Sequence, residues 1–286
     1  MSGLRYEVFV TPAIPQSSGT LNLPDGEAMV WSPMATTLIY GERDAVLVDP
    51  PFTIDTAREV VAWVEGTGRD VTEIYITHGH GDHWLGAPVV LERFPDATVR
   101  ATAGTRAHMA GLVTPESRRP FWEALFPGQI APAPVDVRIV GAEGLGLEGN
   151  ALVPIEVGHS DGDDTTVLWV PGLRLAVAGD VVYNGVHPAL SESAGGGREA
   201  WRQALGRVEA LGAEAVVAGH KDPARADDPA EIGRTRRYLD DADRLLRDSL
   251  TPTEFFEGML SLHPERLNPG ILWFGALSLL AGQSAR

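Results

Sequence analysis

The sequence Thr77-His78-Gly79-His80-Gly81-Asp82-His83-Trp84 directly follows an apolar run that is typical of a β-strand. Three imidazoles and one carboxylate fall within six consecutive positions, and both groups are good ligands for zinc and similar ions. Alternation with glycine permits a tight loop that points His78 and His80 to one side, which leaves Asp82 and His83 to face a second ion. A polar turn that only caps the following helix would need one such side chain and not four. These residues therefore predict a metal site.

Three further candidate ligands stand beside a glycine at the end of an apolar run: His159, Asp180 and His220. Strand ends on one edge of a sheet are where loops converge to build sites, and a neighbouring glycine lets the backbone approach closely. Taken singly, each of the three would be an ordinary loop residue. Together with residues 78–83 they predict one site that collects ligands from distant parts of the chain.

Short apolar runs rich in β-branched residues alternate with segments of helical period. The runs predicted as strands are Tyr6–Val10, Met29–Trp31, Thr37–Tyr40, Ala45–Val48, Glu73–Thr77, Thr98–Ala101, Leu152–Val157, Thr166–Val170, Leu173–Ala178 and Ala215–Ala218. Helices are predicted after a Thr53 cap, up to Phe94, at residues 201–211 and from Pro229 onward. This order predicts sheets with helices on their outer faces. Residues 104–134 are irregular, and we expect them to form a helical excursion from the same domain.

Length and composition restrict the class of protein. A chain of 286 residues, 44% of them hydrophobic, suits an α/β fold, and we expect a single domain over residues 1–286. The formal charge of −16 argues against nucleic acid as a partner. The absence of cysteine excludes disulfides, thiolate nucleophiles and metal sites built from Cys. No apolar stretch approaches the ~18 residues of a membrane span and the start lacks a signal-peptide pattern, so we expect a cytoplasmic protein without a membrane partner.

The motif pattern resembles that of the metallo-β-lactamase superfamily of hydrolases over residues 30–222. The resemblance implies a four-layer αββα metallo-β-lactamase-like sandwich, followed by a C-terminal helical segment at residues 228–283. It also implies a dinuclear site for two divalent metal ions, with Zn2+ as the expected metal. The implied ligands are His78, His80 and His159 for one ion and Asp82, His83 and His220 for the other, with Asp180 bridging the two. Asp49 is implied to orient the ligands from behind.

Within that superfamily, we predict a hydrolase that cleaves a small ester or lactone with a hydroxide that bridges the two ions. Asp82 and Asp180 are the carboxylates expected to serve this chemistry. Tyr183, three residues after Asp180, is predicted either to donate a hydrogen bond to the developing oxyanion or to pack below the metals. Zinc β-lactamases fit less well, because their Cys-using subclasses are excluded and the Cys-free subclass lacks the bridging Asp. Thioesters, phosphodiesters and β-lactams remain alternative small-molecule substrates.

Two other functional classes stay open. A mononuclear iron persulfide dioxygenase resembles the pattern at His78, His159 and Asp180 alone. A metal-binding sensor with the same fold would show no hydrolysis at all.

Several residues have two interpretations at this stage. His187 is expected either to contact the substrate or to cap a loop, and Ser191–Gly197 could form a mobile lid. Trp84, Trp122 and Phe126 either line an apolar pocket or belong to the core. The apolar stretch Ile271–Leu280 is either an internal helix or the surface of a homodimer. His108 and His263 are predicted to be structural.

Overall fold

The computed structural model describes residues 3–17, 21–112, 114, 119–132, 135–141, 143–248 and 251–280. Within these residues the strands are β1 (Arg5–Val10), β2 (Ile14–Pro15), β3 (Val30–Trp31), β4 (Ala35–Tyr40), β5 (Asp44–Val48), β6 (Asp70–Tyr75), β7 (Thr98–Ala101), β8 (Val137–Ile139), β9 (Leu145–Leu147), β10 (Asn150–Gly158), β11 (Thr165–Val170), β12 (Leu175–Asn184) and β13 (Ala215–Lys221). The α-helices are α1 (Ile54–Thr67), α2 (Ala87–Arg93), α3 (Ala103–Leu112), α4 (Gly197–Ala210), α5 (Ala230–Asp248), α6 (Pro252–Leu262) and α7 (Pro269–Leu280).

Strands β1, β4, β5, β6, β7 and β8 form, in this order, a six-stranded sheet. From β5 to β8 the strands run parallel, so their carboxyl ends and the loop after β6 meet at one edge. Helices α1 and α2 cover the outer face with buried side chains such as Val60 and Val90. Helix α1 begins as predicted, because the Thr53 hydroxyl accepts a hydrogen bond from the backbone N–H of Thr56. It ends at Gly68, whose φ of 67° is left-handed.

The second sheet has the strand order β13, β12, β11, β10, β9. Helices α4 to α7 cover its outer face, and Trp201, Leu239, Met259 and Leu272 from these four helices are buried in one apolar cluster. The predicted stretch Ile271–Leu280 lies in α7, which packs residues such as Leu272 into this cluster and leaves Phe274 exposed. Residues 281–283, the end of the predicted helical segment, lie outside the described residues.

An apolar layer fills the space between the two sheets. Ile39 and Val46 from the first sheet meet Leu168 and Val177 from the second sheet in this layer. The order of layers is therefore helix, sheet, sheet, helix, which confirms the predicted αββα sandwich. Because the sheets are covered on both faces, their central strands read as continuous apolar runs.

The structure differs from the sequence prediction mainly in the length of β12. The apolar pattern predicts an end at Ala178, but the strand continues to Asn184, because its pairing with β13 resumes after irregularities on either side of Gly179. Asp180 therefore lies inside the irregular part of a strand and not after its end. The pattern does not predict β8 and β9, since runs of three residues carry little periodicity.

The predicted excursion at residues 104–134 contains α3 and a π-helical turn at Arg119–Glu123. Its residues 113, 115–118, 133 and 134 lie outside the described residues. Among the helices of the described ranges, none combines the length and the apolar character needed to cross a bilayer.

Candidate metal centre

Four buried side chains from three parts of the chain meet at one point. Asp82 and His83 come from the turn after β6, Asp180 from the irregular part of β12, and His220 from β13. The Nε2 atom of His220 lies 3.2 Å from Asp82 Oδ2 and 3.3 Å from Asp180 Oδ2. The Nε2 atom of His83 lies 3.3 Å from Asp180 Oδ1. Two imidazoles and two carboxylates thus face one another at the separations expected of ligands around a cation.

The imidazoles of this group are fixed through their far nitrogens. The Nδ1 atom of His83 donates to Asp49 Oδ2 at 3.1 Å, and that of His220 donates to the Pro33 carbonyl at 3.0 Å. Asp49 is itself held, because it accepts from the backbone N–H and the hydroxyl of Thr77 at 2.8 and 2.6 Å. Metal-binding histidines are oriented in this way, which leaves Nε2 for the ion. The contact with His83 is the orienting role that the resemblance implies for Asp49.

His78 and His80 lie beside this group, together with Asp161. The Oδ2 atom of Asp161 is 2.8 Å from His80 Nδ1 and 3.8 Å from His78 Nε2. One ligand atom from each of the three residues lies within 4.8 Å of the other two. The ring centroids of His78 and His83 are 4.2 Å apart. The structure therefore contains two adjoining sets of candidate ligands.

His159 is the one predicted ligand that lies in neither set. Its Nδ1 atom is 2.7 Å from Asp163 Oδ1. Within the described ranges, no group of side chains with metal-ligand spacing includes it. The other predicted ligands, from His78 to His220, all lie in the two sets.

The donor atoms of the two sets fit a divalent cation. His78 Nε2, His83 Nε2 and Asp180 Oδ1 are buried and have no hydrogen-bond partner among the residues that the structure describes. Buried polar atoms are rarely left unpaired, because each costs about 1–3 kcal/mol. A cation would satisfy all of them, and imidazole nitrogen with carboxylate oxygen suits zinc, manganese or iron.

Burial and neighbouring charges shift the pKa values of the ligands. Burial, helped by the charge of His83, lowers the pKa of His78 to about 3, so this imidazole is neutral and available to a metal. Burial also opposes a charge on His220, but the carboxylates of Asp180 and Asp82 outweigh it and raise the His220 pKa to about 10. Although burial opposes the ionisation of Asp180, the imidazoles of His220 and His83 hold its pKa well below the usual range. A cation that binds here must therefore displace a proton from His220.

Two glycines allow the ligand-bearing backbones to approach one another. A Cβ atom on Gly219 would lie 2.1 Å from Asp180 Oδ1. A Cβ atom on Gly179, which has a φ of 49°, would lie 2.5 Å from Thr77 Oγ1. Any larger residue would displace the side chains that form the site, which explains why glycine precedes both Asp180 and His220.

Tyr183 belongs to β12 and is buried beside Asp180 and His220. Its hydroxyl donates to Asp180 Oδ2 at 2.6 Å, and its ring stacks on His220 at an interplanar angle of 19°. Burial and then the charge of Asp180 raise the pKa of Tyr183 well above its usual value, so the phenol stays protonated. A phenol has a single O–H, and Asp180 occupies it. In this arrangement the hydroxyl orients a carboxylate and is not free for an oxyanion.

Sequence reasoning missed three side chains around His80: Asp161, Glu192 and His108. The Oε1 atom of Glu192, in the segment predicted as a lid, lies 3.3 Å from His80 Nε2. The ring of His108, which the sequence predicts to be structural, lies 5.7 Å from the ring of His80. The run of acidic residues after His159 was the available signal for Asp161. Glu192 and His108 carried no signal, because their proximity depends on how distant loops fold.

The aromatic residues near the site belong to the core. Trp84, Trp122 and Phe126 are buried in the apolar cluster of the first sheet, which agrees with the core alternative of the two that the sequence offered. Trp31 joins this cluster to the site, because its Nε1 donates to Asp82 Oδ2 at 3.0 Å. His187 lies 2.9 Å from the hydroxyl of Tyr238 and is fully buried, which identifies a packing role.

The sequence profile of the metallo-beta-lactamase superfamily matches residues 31–220 of this chain. A hydroxyacylglutathione hydrolase from Synechococcus sp. is 39% identical over 70 residues, which cover 24% of this chain and 26% of that protein. A hydroxyacylglutathione hydrolase from Actinobacillus pleuropneumoniae is 26% identical over 106 residues, which cover 37% of this chain and 39% of that protein. The similarity thus spans well under half the length of these curated relatives.

Solved structures show the same fold. A metallo-beta-lactamase family protein from Thermus thermophilus superimposes with a TM-score of 0.63 at 18% identity, over 96% of this chain and 91% of that one. A metallo-beta-lactamase from Pontibacter korlensis superimposes with a TM-score of 0.59 at 18% identity, over 83% of this chain and 99% of that one.

Proposed function

Because this chain belongs to the metallo-β-lactamase superfamily, we propose that it is a metal-dependent hydrolase of small esters or lactones. The observation that carries the proposal is the meeting of six side chains whose two sets both contain ligand atoms without a hydrogen-bond partner among the described residues: Asp82, His83, Asp180 and His220, beside His78 and His80. Two divalent ions, with Zn2+ proposed, would lower the pKa of a shared water toward neutrality and polarise the oxygen of the group under attack.

The chain's own residues prepare the site for that chemistry. Asp180 reaches His83 through one carboxylate oxygen and His220 through the other, so it is placed between the ligands that would hold an ion. Tyr183 fixes the Oδ2 side of this carboxylate through its hydroxyl. Asp49 fixes the ring of His83. Catalysis here needs no serine or cysteine nucleophile, since the attacking group is water.

The charges at the rim favour a neutral substrate. The side chains of Glu192 and Asp163 are 53% and 79% exposed, and they lie against His80 and His159. Two carboxylates in this position would repel a phosphodiester or an anionic carrier group. Lactones and simple esters carry no such charge, which makes them the preferred class.

A thioester is the second candidate, because the curated relatives reported above are hydroxyacylglutathione hydrolases. Their similarity to this chain covers only a minor share of either protein. A neutral thioester would fit the acidic rim better than one that carries a glutathione carboxylate.

A substrate panel tests the proposal. Metal-loaded protein is assayed against a lactone, an aryl ester, a thioester, a phosphodiester and a β-lactam, and metal content is measured in parallel. We expect turnover of the lactone or ester, loss of turnover in His83→Ala, and retained turnover in His263→Ala, which lies against Tyr238. Bound metal without hydrolysis of any compound would support the sensor. Oxygen uptake with a persulfide by iron-loaded protein would support the dioxygenase.

A further inference from the structure

Asp161 is a buried carboxylate that shares a set of candidate ligands with His78 and His80, although the resemblance does not imply it as a ligand. Its side chain is 1% exposed, and its Oδ2 atom lies between His80 Nδ1 and His78 Nε2 at 2.8 and 3.8 Å. Its other oxygen, Oδ1, accepts a hydrogen bond from the Ser160 hydroxyl at 3.0 Å. The carboxylate is therefore held in one orientation, with Oδ2 directed at two imidazoles.

The geometry of these atoms suits a shared cation. Ligands at 2.0–2.2 Å from a tetrahedral ion lie about 3.4 Å from one another. The two observed separations lie on either side of this value. In addition, His78 Nε2 is fully buried and has no hydrogen-bond partner within the described ranges, so it is directed into this space without a protein acceptor or donor.

His159 belongs to none of the groups of candidate ligands in the described ranges. Its Nδ1 atom is engaged by Asp163, which is exposed, and 17% of its own side chain is exposed. Its Nε2 atom is buried and, like that of His78, has no hydrogen-bond partner within the described ranges, but it lies against Gly197, where a Cβ atom would be only 2.7 Å away. The residue before His159 lies at an irregular end of β10, where the pairing with β11 shifts between Glu156 and Gly158 and Gly158 takes a φ of 88°.

We infer that Asp161, together with His78 and His80, completes the first metal position in this chain, in place of the His159 that the resemblance implies. The inference deepens the proposed function and rests on it, because it assigns a ligand within the same metal centre. A carboxylate in place of a neutral imidazole lowers the charge of the centre by one. Harder ions such as Mn2+ or Fe2+ should therefore compete better with Zn2+ there than at an all-imidazole site.

Glu192 supports this arrangement from the outside. Its carboxylate lies 3.3 Å from the Nε2 atom of His80 and is exposed, whereas Asp161 faces the Nδ1 atom of the same ring. A carboxylate on the far nitrogen fixes the tautomer of a ligating imidazole. His80 is thus prepared to bind through Nδ1, which is the atom nearest Asp161.

A thiolate probe can test the position of this ligand directly. The chain contains no cysteine, so an introduced thiol is the only one present. Asp161→Cys and, as the matched control, His159→Cys are loaded with Co2+, and the near-ultraviolet absorption of each is recorded. We expect an intense thiolate-to-cobalt charge-transfer band in Asp161→Cys, because a thiolate there would replace the carboxylate as a ligand. A band in His159→Cys with none in Asp161→Cys overturns the inference, as does the absence of a band in both variants.

A second variant measures affinity. Loss of a partner that only orients a ligand weakens metal binding by about 10–100-fold. Asp161→Asn would remove a direct ligand, so the affinity for the more weakly bound of the two Co2+ ions should fall by more than about a hundredfold. Circular dichroism shows whether the variant is folded, and an affinity within tenfold of wild type in a folded variant overturns the inference. If wild-type protein binds no Co2+ at all, the proposed metal-dependent function fails as well. If wild-type protein binds Co2+, but Asp161→Cys gives no charge-transfer band and Asp161→Asn keeps its affinity, the proposed function stands and only the ligand assignment fails.

Discussion

The hydrogen bond from Tyr183 to Asp180 offers a prediction whose size follows from its geometry. Tyr183→Phe removes one hydroxyl and keeps the ring that stacks on His220 and packs near Trp201. The bond that is lost is 2.6 Å long, fully buried, and made to an ionised carboxylate. Hydrogen bonds to charged groups contribute about 1.5–3 kcal/mol, so we expect the free energy of unfolding of the metal-free protein to fall by that amount.

The same substitution should weaken metal binding, because Asp180 would lose the group that orients it. A loss of about 10–100-fold in affinity is expected for such a partner. Urea unfolding followed by circular dichroism gives the first quantity, and competition with a chelating indicator gives the second. Tyr238→Phe is the matched control: this tyrosine is equally buried, but its hydroxyl contacts the neutral His187. The control should cost only about 0.5–1.5 kcal/mol and leave metal affinity unchanged.

Two results would refute this reasoning. If Tyr183→Phe unfolds at the same urea concentration as wild type and binds metal equally well, the hydroxyl does not hold Asp180. If, in addition, turnover falls steeply while metal affinity is unchanged, Tyr183 acts on the reacting group, as the oxyanion interpretation of the sequence predicts.

Three other perturbations test separate parts of the structure. Asp49→Asn should reduce metal affinity by about 10–100-fold, because its amide nitrogen cannot accept and the side chain then cannot accept all three bonds from Thr77 and His83; equal affinity by calorimetry would contradict this. Gly219→Ala should abolish metal binding, since the new methyl group would overlap Asp180, and wild-type metal content in a folded variant would argue against that crowding. Burial, followed in importance by the charge of Arg266, lowers the pKa of His187 to about 3. As the pH falls, His187 is therefore protonated in the unfolded chain before it is protonated in the folded protein. Stability from His187 is therefore complete above pH ~6.5 and decreases below it, by about 2 kcal/mol at pH 5; urea unfolding of His187→Asn should show less loss between pH 7.5 and 5, and an identical pH dependence would count against this account.

Sequence alone was sufficient for the features that depend on neighbouring residues. The helix that starts at Thr53 and ends before Gly68 follows from a cap, an apolar period and a residue that tolerates a left-handed conformation. The cluster from His78 to His83 could be identified as a metal site because several ligand types occur together after a strand. The alternation of strand and helix patterns predicted sheets covered by helices, and the resemblance carried by the ligand motifs added the αββα arrangement.

Tertiary structure alone decided which atoms meet at the site. Asp161 and His159 are two residues apart in the loop after β10, and Asp161 is the one that lies beside His78 and His80. The proton of Tyr183 goes to Asp180 because β12 continues beyond its predicted end. Irregular pairing at the end of β10 and within β12 changes where the nearby side chains point. The spacing of residues along a sequence contains no record of such an irregularity, because it exists only once the strands have paired with one another.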